Sequence, residues 1–480
     1  MDFEPVIGLE IHAQLLTDTK IFCGCSAKFG AAPNTHVCPV CLGLPGALPV
    51  LNKQAVEFAV RAGIVLGCTI QNTSVFARKH YFYPDLPKGY QISQYEQPLA
   101  SEGEVTCSSG TGTLAVRIIR VHLEEDAGKS LHEGFPESNR ATYLDYNRSG
   151  VPLIEIVTYP DFRSSTEAAD FFSWLRDVLR AVGVNDGNME EGSLRCDANV
   201  SMRPVGSSIL GVKVEVKNIN SFRFLQRALE YEFQRQADVL SNGGTVVQET
   251  RLWDSSAGLT LPMRSKEEAH DYRYFPEPDL PPLEVSEDWI SHIRESLPEL
   301  PDSRKERFVA DYQLSEQDAI WLSGLAELAD YFEKVAIASG NSKSASNWVK
   351  GAVSRYLNEH GVQIGSLRVD PLSLADLIKL VDAGRISGSV ARTVFDRMVV
   401  SGESAEMVVE SEGLAQIDDT DVLEAAVRKV IGGNLNAVDN YRDGKTGILG
   451  FLVGQVMRET RGKANPRVVS ELLKTALKRS

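Results

Sequence analysis

Gly8-Leu9-Glu10-Ile11-His12-Ala13-Gln14-Leu15 alternates between apolar and polar side chains. Successive side chains of an extended strand point to opposite faces, so this stretch offers one apolar face and one face carrying Glu10, His12 and Gln14. Four more stretches repeat the pattern: Arg120-Val121-His122-Leu123-Glu124-Glu125-Asp126, Leu153-Ile154-Glu155-Ile156-Val157, Ser193-Leu194-Arg195-Cys196-Asp197-Ala198-Asn199-Val200-Ser201 and Val212-Lys213-Val214-Glu215-Val216-Lys217. They predict a concave sheet surface whose exposed side is both acidic and basic. A merely solvated face would mix Lys, Glu and Thr, whereas Glu10 with His12, and Asp197 with Asn199, are the oxygen and nitrogen donors that hold divalent cations.

The chain has 480 residues, 43% of them hydrophobic, enough for two to four domains with sizeable cores. A net charge of −15 makes the surface as a whole repel nucleic acid. Any polyanion must therefore be met by a local basic patch or through a metal. Met1-Asp2-Phe3-Glu4 lacks the basic start of a secretory signal, and no apolar run is long enough for a bilayer, so a cytoplasmic setting is expected.

Four of the seven cysteines fall in Cys23-Gly24-Cys25 and Cys38-Pro39-Val40-Cys41. Two such pairs at loop distance make a pair of thiolate knuckles, the pattern of a structural zinc. Four protein ligands would leave that metal no open position, so it would pin a loop and not catalyse. His36 is a possible replacement ligand that two complete pairs make unnecessary. Cys68, Cys107 and Cys196 stand alone and are expected as buried filler.

Residues up to about 290 mix strands with a few helices. Ala168 to Val182 carries Phe171, Phe172, Leu175, Val178 and Leu179 at helical spacing, with Thr166 a plausible start and Gly183 just past the end. Phe224 to Leu240 is a second helix. Tyr274-Phe275-Pro276-Glu277-Pro278-Asp279-Leu280-Pro281-Pro282 is too proline-rich for a regular element and reads as an extended strap. Beyond it only helical spacing remains, around 304–312, 315–338, 343–358 and 372–384, with short helices after Ser404. The expected class is α+β: a β-rich mixed-sheet cradle over 1–292, a helical domain over 293–404 and a small helical tail over 405–480. From Gln455 onward seven Lys or Arg oppose Glu459 and Glu471, a local charge of +5. In the last helix Val469, Leu472, Leu473 and Ala476 form the apolar stripe, while Arg467, Lys474 and Lys478 share another face suited to a phosphate backbone. Gly447, Gly450 and Gly454 are expected to mark a close-packed helix.

Glu125-Asp126-Ala127-Gly128-Lys129-Ser130 ends like a phosphate loop, but Leu123 stands where a glycine is needed and three acids precede it. Carboxylates cannot cradle phosphate directly. With a histidine they can hold Mg²⁺ that bridges the phosphates of ATP, while Lys and Arg neutralise the transferring group.

Four tracts carry a resemblance over essentially the whole chain: Val121 to Lys129, Asp145-Tyr146-Asn147-Arg148-Ser149-Gly150-Val151-Pro152 running on to Val157, Met189-Glu190-Glu191-Gly192-Ser193-Leu194-Arg195 running on to Ser201, and Asp271-Tyr272-Arg273-Tyr274-Phe275-Pro276-Glu277-Pro278-Asp279. With Arg78-Lys79-His80-Tyr81-Phe82-Tyr83-Pro84-Asp85, Gly89-Tyr90-Gln91-Ile92-Ser93-Gln94 and Gly450-Phe451-Leu452-Val453-Gly454-Gln455, they closely resemble the GatB family of the aspartyl/glutamyl-tRNA(Asn/Gln) amidotransferases. The resemblance implies a ligase of three subunits that corrects Glu mischarged on glutamine tRNA or Asp mischarged on asparagine tRNA. The γ-phosphate of ATP goes to the side-chain carboxylate of the tRNA-bound amino acid, and ammonia then displaces it. The ammonia would come through a tunnel from a partner amidase that hydrolyses glutamine. A small third subunit would strap the pair, and the mischarging synthetase is a further possible partner.

Carried over residue by residue, the family implies Mg²⁺ held by Glu10, His12, Glu125 and Glu155, with Glu124 and Asp197 as second choices. Parity near a strand end leaves Glu124 and Glu125 both open. Lys79, Lys88 and Glu125 would line the tunnel, with Glu125 as a gate. Arg195 and Lys217 with Arg273 would neutralise phosphates or the tRNA 3′ end, while Arg467, Lys474 and Lys478 would grip the tRNA. Cys23, Cys25, Cys38 and Cys41 would hold a structural Zn²⁺ not needed for catalysis.

Overall fold

The computed structural model describes all residues except 1, 111, 133, 135, 139, 266–268, 416–419, 443–444, 461–463 and 479–480, and omits the side chains of 264–265, 269–270, 420–421 and 478. It forms two compact units, Met1–Leu300 and Pro301–Ser480.

The first unit is organised by a nine-stranded mixed sheet. Its strands are β1 (Phe3–Gln14), β2 (Thr69–Ile70), β3 (Ala100–Ser109), β4 (Gly112–Glu125), β5 (Pro152–Thr158), β6 (Leu194–Pro204), β7 (Val214–Ile219), β8 (Glu249–Asp254) and β9 (Leu259–Ser265). They lie in the order β9-β8-β7-β6-β1-β5-β4-β3-β2, antiparallel except between β7 and β8. The five alternating stretches are five adjacent strands, β7-β6-β1-β5-β4. Ile7, Leu9, Ile11 and Ala13 of β1, with Val121, Leu123, Ile154, Ile156, Cys196 and Ala198 of its neighbours, are buried together in one core.

Helices α1 (Lys53–Val65), α2 (Ser165–Ala181) and α3 (Phe222–Ser241) contribute to that core. Helix α2 starts earlier than Thr166, because Ser164 caps it by accepting from Glu167 N. The Glu167 carboxylate in turn accepts from Arg163 N at 2.7 Å, so two otherwise orphaned amides are satisfied. Helix α3 begins at Phe222 for the same reason, with Ser221 as its cap. Cys68, Cys107 and Cys196 are buried, as expected.

The strap is not wholly irregular. Phe275–Pro276 adds an edge strand to Phe76–His80, which pairs in turn with Tyr90–Gln94. An edge position tolerates the missing proline amide. The buried Glu277 carboxylate then fixes the strap by accepting both Arg78 Nε (2.7 Å) and Arg78 Nη2 (2.8 Å).

The second unit has two apolar clusters. One runs from Phe308 to Val409 and includes Ala405, Val408 and Val409; the other runs from Leu423 to Leu477. Three helical readings need correction. The 315–338 segment is two helices, Glu316–Ser323 and Ala326–Ser339, because Ser323-Gly324-Leu325 interrupts it. The 343–358 segment carries a wide turn over Val349–Val353 between Ser342–Trp348 and Ser354–His360. Gly450 and Gly454 lie on helix Ile448–Glu459 but are not close-packed, since a Cβ at either would meet nothing within 4 Å. No helix of the described residues is long and apolar enough to cross a membrane.

Candidate active site

Strand register builds the site. His12 lies opposite Glu155 on β5 and opposite Arg195 on β6, and Glu155 lies opposite His122 on β4. The row Arg195-His12-Glu155-His122 therefore crosses four strands on the polar face. Directly opposed residues have Cβ atoms ~5 Å apart, so this row is a set of side-chain contacts fixed by the sheet itself. Glu124 joins it from one turn of the pleat along β4. His12 Nε2 is 3.6 Å from Glu155 Oε2 and 3.8 Å from Glu124 Oε1. His122 Nε2 is 3.4 Å from Glu155 Oε2 and 3.8 Å from Glu124 Oε2. Each carboxylate thus sits between two imidazoles.

Burial pulls both histidines down, but Glu155 and then Glu124 outweigh it and hold them above the usual imidazole value. Burial would raise Glu155, yet His122 and then His12 hold it well below the carboxylate range. Glu124 is lowered as well, His122 outweighing its burial.

His12, Glu155 and His122 of this row open into a cavity of about 500 Å³ that also reaches Glu10, Lys79, Arg120, Glu215, Lys217 and Thr250. Its rim comes from the small three-stranded sheet and the strap. Tyr95 and Tyr274 stack there with ring centroids 4.1 Å apart. Lys79 Nζ lies 4.8 Å from the Tyr272 ring and 5.8 Å from that of Tyr81. Burial opposes its charge, but Tyr274, Glu124 and Glu155 raise it. Ser93 Oγ donates to Glu124 Oε2 at 3.3 Å.

The structure sorts the sequence-derived candidates. His12, Glu124 and Glu155 bring one nitrogen and two oxygens within 4.8 Å of one another, a donor set compatible with a divalent cation. Glu10 stands outside that group, accepting from Asn199 Nδ2 at 2.7 Å. Asp197 is also outside it, bound to Lys217 Nζ at 2.6 Å. Arg195 is paired with Asp126 at 3.2 Å, and burial of Asp126 is outweighed by Arg195 and Arg148. Arg273 lies exposed at the strap with a positive φ of 50°.

Glu125 faces elsewhere. It forms an ion pair with Lys88, accepts from Ile92 N at 2.8 Å, and lines a second cavity of about 210 Å³ with Lys20, Cys23 and Cys41. Lys79 and Lys88, grouped in sequence, thus line different cavities. Gly43 has φ +66°, and a Cβ there would collide with the stem of Lys88, so glycine lets that lysine reach Glu125. Not singled out from sequence as site residues were Arg120, Tyr95 and His122. The register of β4 against β5 reveals His122, and pairing is invisible in a single strand.

The four knuckle cysteines converge, every Sγ lying within 4.8 Å of the others, a cluster compatible with structural zinc. His36 is not among the converging atoms. Hydrogen bonding from Cys23, against burial and with Lys20 nearby, lowers the Cys41 thiol to about 4. Burial first, then Cys38, pushes Cys25 up to about 11. The buried Lys20 ammonium donates to His36 O at 2.7 Å and Tyr146 O at 3.2 Å, a cation held by carbonyls beside sulfurs that would carry negative charge.

In the tail, helix Pro466–Lys478 buries Val469, Leu473 and Leu477. Arg467 is exposed, and Lys474 is paired with Glu471 at 2.8 Å. Lys478 has its side chain outside the described residues, as do Arg461, Lys463 and Arg479 entirely.

Residues 5–291 match the GatB/GatE catalytic domain and residues 330–477 the GatB domain. The chain is 54% identical to the GatB component of the aspartyl/glutamyl-tRNA(Asn/Gln) amidotransferase of Thermoanaerobacter sp. (strain X514), over 99% of this chain and 100% of that protein. It is 55% identical to the corresponding component from Caldanaerobacter subterraneus subsp. tengcongensis, over the same shares. For Thermodesulfovibrio yellowstonii the identity is 53%, over the full length of both chains. A cradle of alternating strands, a knuckle of four cysteines and a helical second unit thus come together in a chain that belongs to the GatB family of the aspartyl/glutamyl-tRNA(Asn/Gln) amidotransferases.

Proposed function

We infer that the chain is the phosphorylating component of a tRNA-dependent amidotransferase, acting with ATP on Glu-tRNA(Gln), Asp-tRNA(Asn) or both. The observation that carries this reading is the row of His12, Glu155 and His122, which Glu124 contacts, in a cavity rimmed by Lys79, Arg120 and stacked tyrosines. His12 Nε2 and the Glu124 and Glu155 oxygens are the donors that would hold Mg²⁺, which when bound neutralises phosphate charge. Lys79 and Arg120 supply further positive charge toward the phosphoryl oxygens, and Tyr95 and Tyr274 cover the site. The substrate's side-chain carboxylate oxygen attacks the γ-phosphorus, ADP leaves, and the acyl phosphate then exchanges phosphate for ammonia to give the amide. Lys88 and Glu125 line the approach for ammonia delivered by a partner amidase, and a small third polypeptide completes the assembly. The tail that grips tRNA, expected over residues 405–480, is proposed to begin after Leu414, since Ala405, Val408 and Val409 belong to the preceding apolar cluster, in a chain of three domains.

The test uses enzyme reconstituted with its partner polypeptides, labelled ATP and no ammonia source. Label transfer is expected to Glu-tRNA(Gln) or Asp-tRNA(Asn), and not to free glutamate. Equal transfer to free glutamate would replace this reading with a ligase acting on free amino acids.

The cysteine knuckle is assigned one structural zinc. Protein purified without chelator should contain about one zinc per chain, and the Cys23→Ser/Cys38→Ser double variant should melt several degrees lower, roughly 5–10 °C, with turnover at moderate temperature nearly retained. Elemental analysis showing no zinc in the unsubstituted protein would refute the assignment.

A further inference from the structure

Arg120 stands apart from the other cations of the cradle. It lies two residues from His122 on β4, so the two side chains share the polar face. Its neighbours across the sheet are Val157 on β5 and Ser101 on β3, neither of them charged. The next carboxylate along that row is Glu10, opposite Val157 on β1 and so two strand spacings away, ~10 Å between backbones. The register slips between Val157 and Thr158, beside Arg120, and a bulge of this kind re-aims side chains at a site. The guanidinium is half-buried, lines the cavity, and leaves its Nε buried without a partner. No carboxylate among the described residues is paired with it. The other cations of the wall are occupied or screened. Lys217 is bound to Asp197 at 2.6 Å and lies 3.3 Å from Glu215. Lys79 stands over the Tyr272 ring and is kept charged, against its burial, by Tyr274, Glu124 and Glu155. Lys213 is exposed, where solvent and salt weaken its field.

The phosphoryl acceptor is itself an anion, and in a cavity walled by carboxylates it needs a cation not already spent on them or on phosphate. A guanidinium presents only N–H donors, in a fork that fits both oxygens of a carboxylate. The amide that the reaction makes has the same shape without the charge, and its –NH₂ group would turn donors toward donors. We propose that Arg120 grips the side-chain carboxylate of the tRNA-bound amino acid and thereby distinguishes the substrate from its amide product. Arg120 orients the acceptor before attack and meets phosphoryl oxygens only as the new bond forms. Conversion to the amide removes the fork's partner, which favours release of the finished aminoacyl-tRNA. This rests on the phosphorylation reading above, because it takes the reacting group to be a carboxylate.

The experiment measures equilibrium binding of Glu-tRNA(Gln) and Gln-tRNA(Gln) to the assembled enzyme, with Mg²⁺ and without ATP, for the unsubstituted chain, Arg120→Lys and Arg120→Gln. The unsubstituted enzyme is expected to bind the glutamyl form about 10-fold or more tightly, because the tRNA is common to both and the difference isolates one charge-assisted pair. Arg120→Gln should bring that ratio below about threefold, and Arg120→Lys should fall between, since an ammonium keeps the charge but not the fork. Label transfer from ATP to Glu-tRNA(Gln) should drop at least ~100-fold in Arg120→Gln, while affinity for ATP and for Mn²⁺ stays within about threefold. Those two affinities also report an intact cradle; if Arg120→Gln loses both, the Arg120→Lys ratio decides. Equal binding of the two forms by the unsubstituted enzyme would overturn the proposal without any variant. So would a ratio that survives Arg120→Gln while ATP affinity falls, which would give the guanidinium to phosphate. If the unsubstituted enzyme preferred the glutamyl form yet transferred no label to it, the phosphorylation reading would fail while the carboxylate grip stood.

Discussion

Glu124→Gln and His12→Ala are each expected to reduce ATP-dependent phosphorylation of the aminoacyl-tRNA by at least ~100-fold, because phosphoryl transfer depends on electrostatic stabilisation that these donors organise. Glu125→Gln should behave differently. That side chain lines the other cavity with Lys88, so phosphorylation should stay within several-fold while glutamine-driven amidation falls. The two can be separated by measuring label transfer from ATP in one assay, and amide formation with glutamine against free ammonium in another. An equal collapse of phosphorylation in the Glu124 and Glu125 variants would show that the cavities do not divide the chemistry.

Removing residues 415–480 is expected to weaken tRNA binding strongly, raise the apparent KM for aminoacyl-tRNA and flatten the salt dependence of binding. A net charge of −15 gives no long-range attraction to tRNA, so affinity must be concentrated where cations cluster. The cut belongs after Leu414, because Ala405, Val408 and Val409 are part of the preceding apolar cluster and their loss would unfold more than the tail. Each phosphate left without its cation should lower the slope of log K against log salt by a little under one unit, so Lys474→Ala with Lys478→Ala should lower it by roughly one to two. The Lys474 contribution includes freeing it from Glu471, which places it toward the smaller value. Binding and salt slope unchanged after truncation would locate tRNA recognition elsewhere.

Much of this was legible in the sequence because period-two alternation reports both the strand and its buried face. Five such stretches became five adjacent strands of one sheet, and the two cysteine pairs converged as their spacing required. What remained hidden depends on pairing. Nothing in the local sequence sets His122 beside Glu155, since that neighbour exists only through the register of β4 on β5. The choice between Glu124 and Glu125 needed the same information, as did the separation of Lys79 from Lys88. The break at Gly324 was missed because apolar spacing continues through it, and spacing alone does not detect a local change of chain direction. The glycines of Ile448–Glu459 were misread because a glycine pattern records where close approach is permitted, not where a neighbour has come.

Glu124 and Glu125 are joined by a single peptide bond, one turned to His12 and His122 and the other to the cavity beside the knuckle. Side chains on a strand invert with every step, so the partition between these chambers is one residue thick and is set by counting. Inserting one residue between Val121 and His122 would exchange the faces of the two carboxylates. The same slip would turn His122 into the core and Leu123 into the cradle. The alignment of the two chambers is therefore a property of chain length in β4, and no adjustment of side-chain rotamers could restore it.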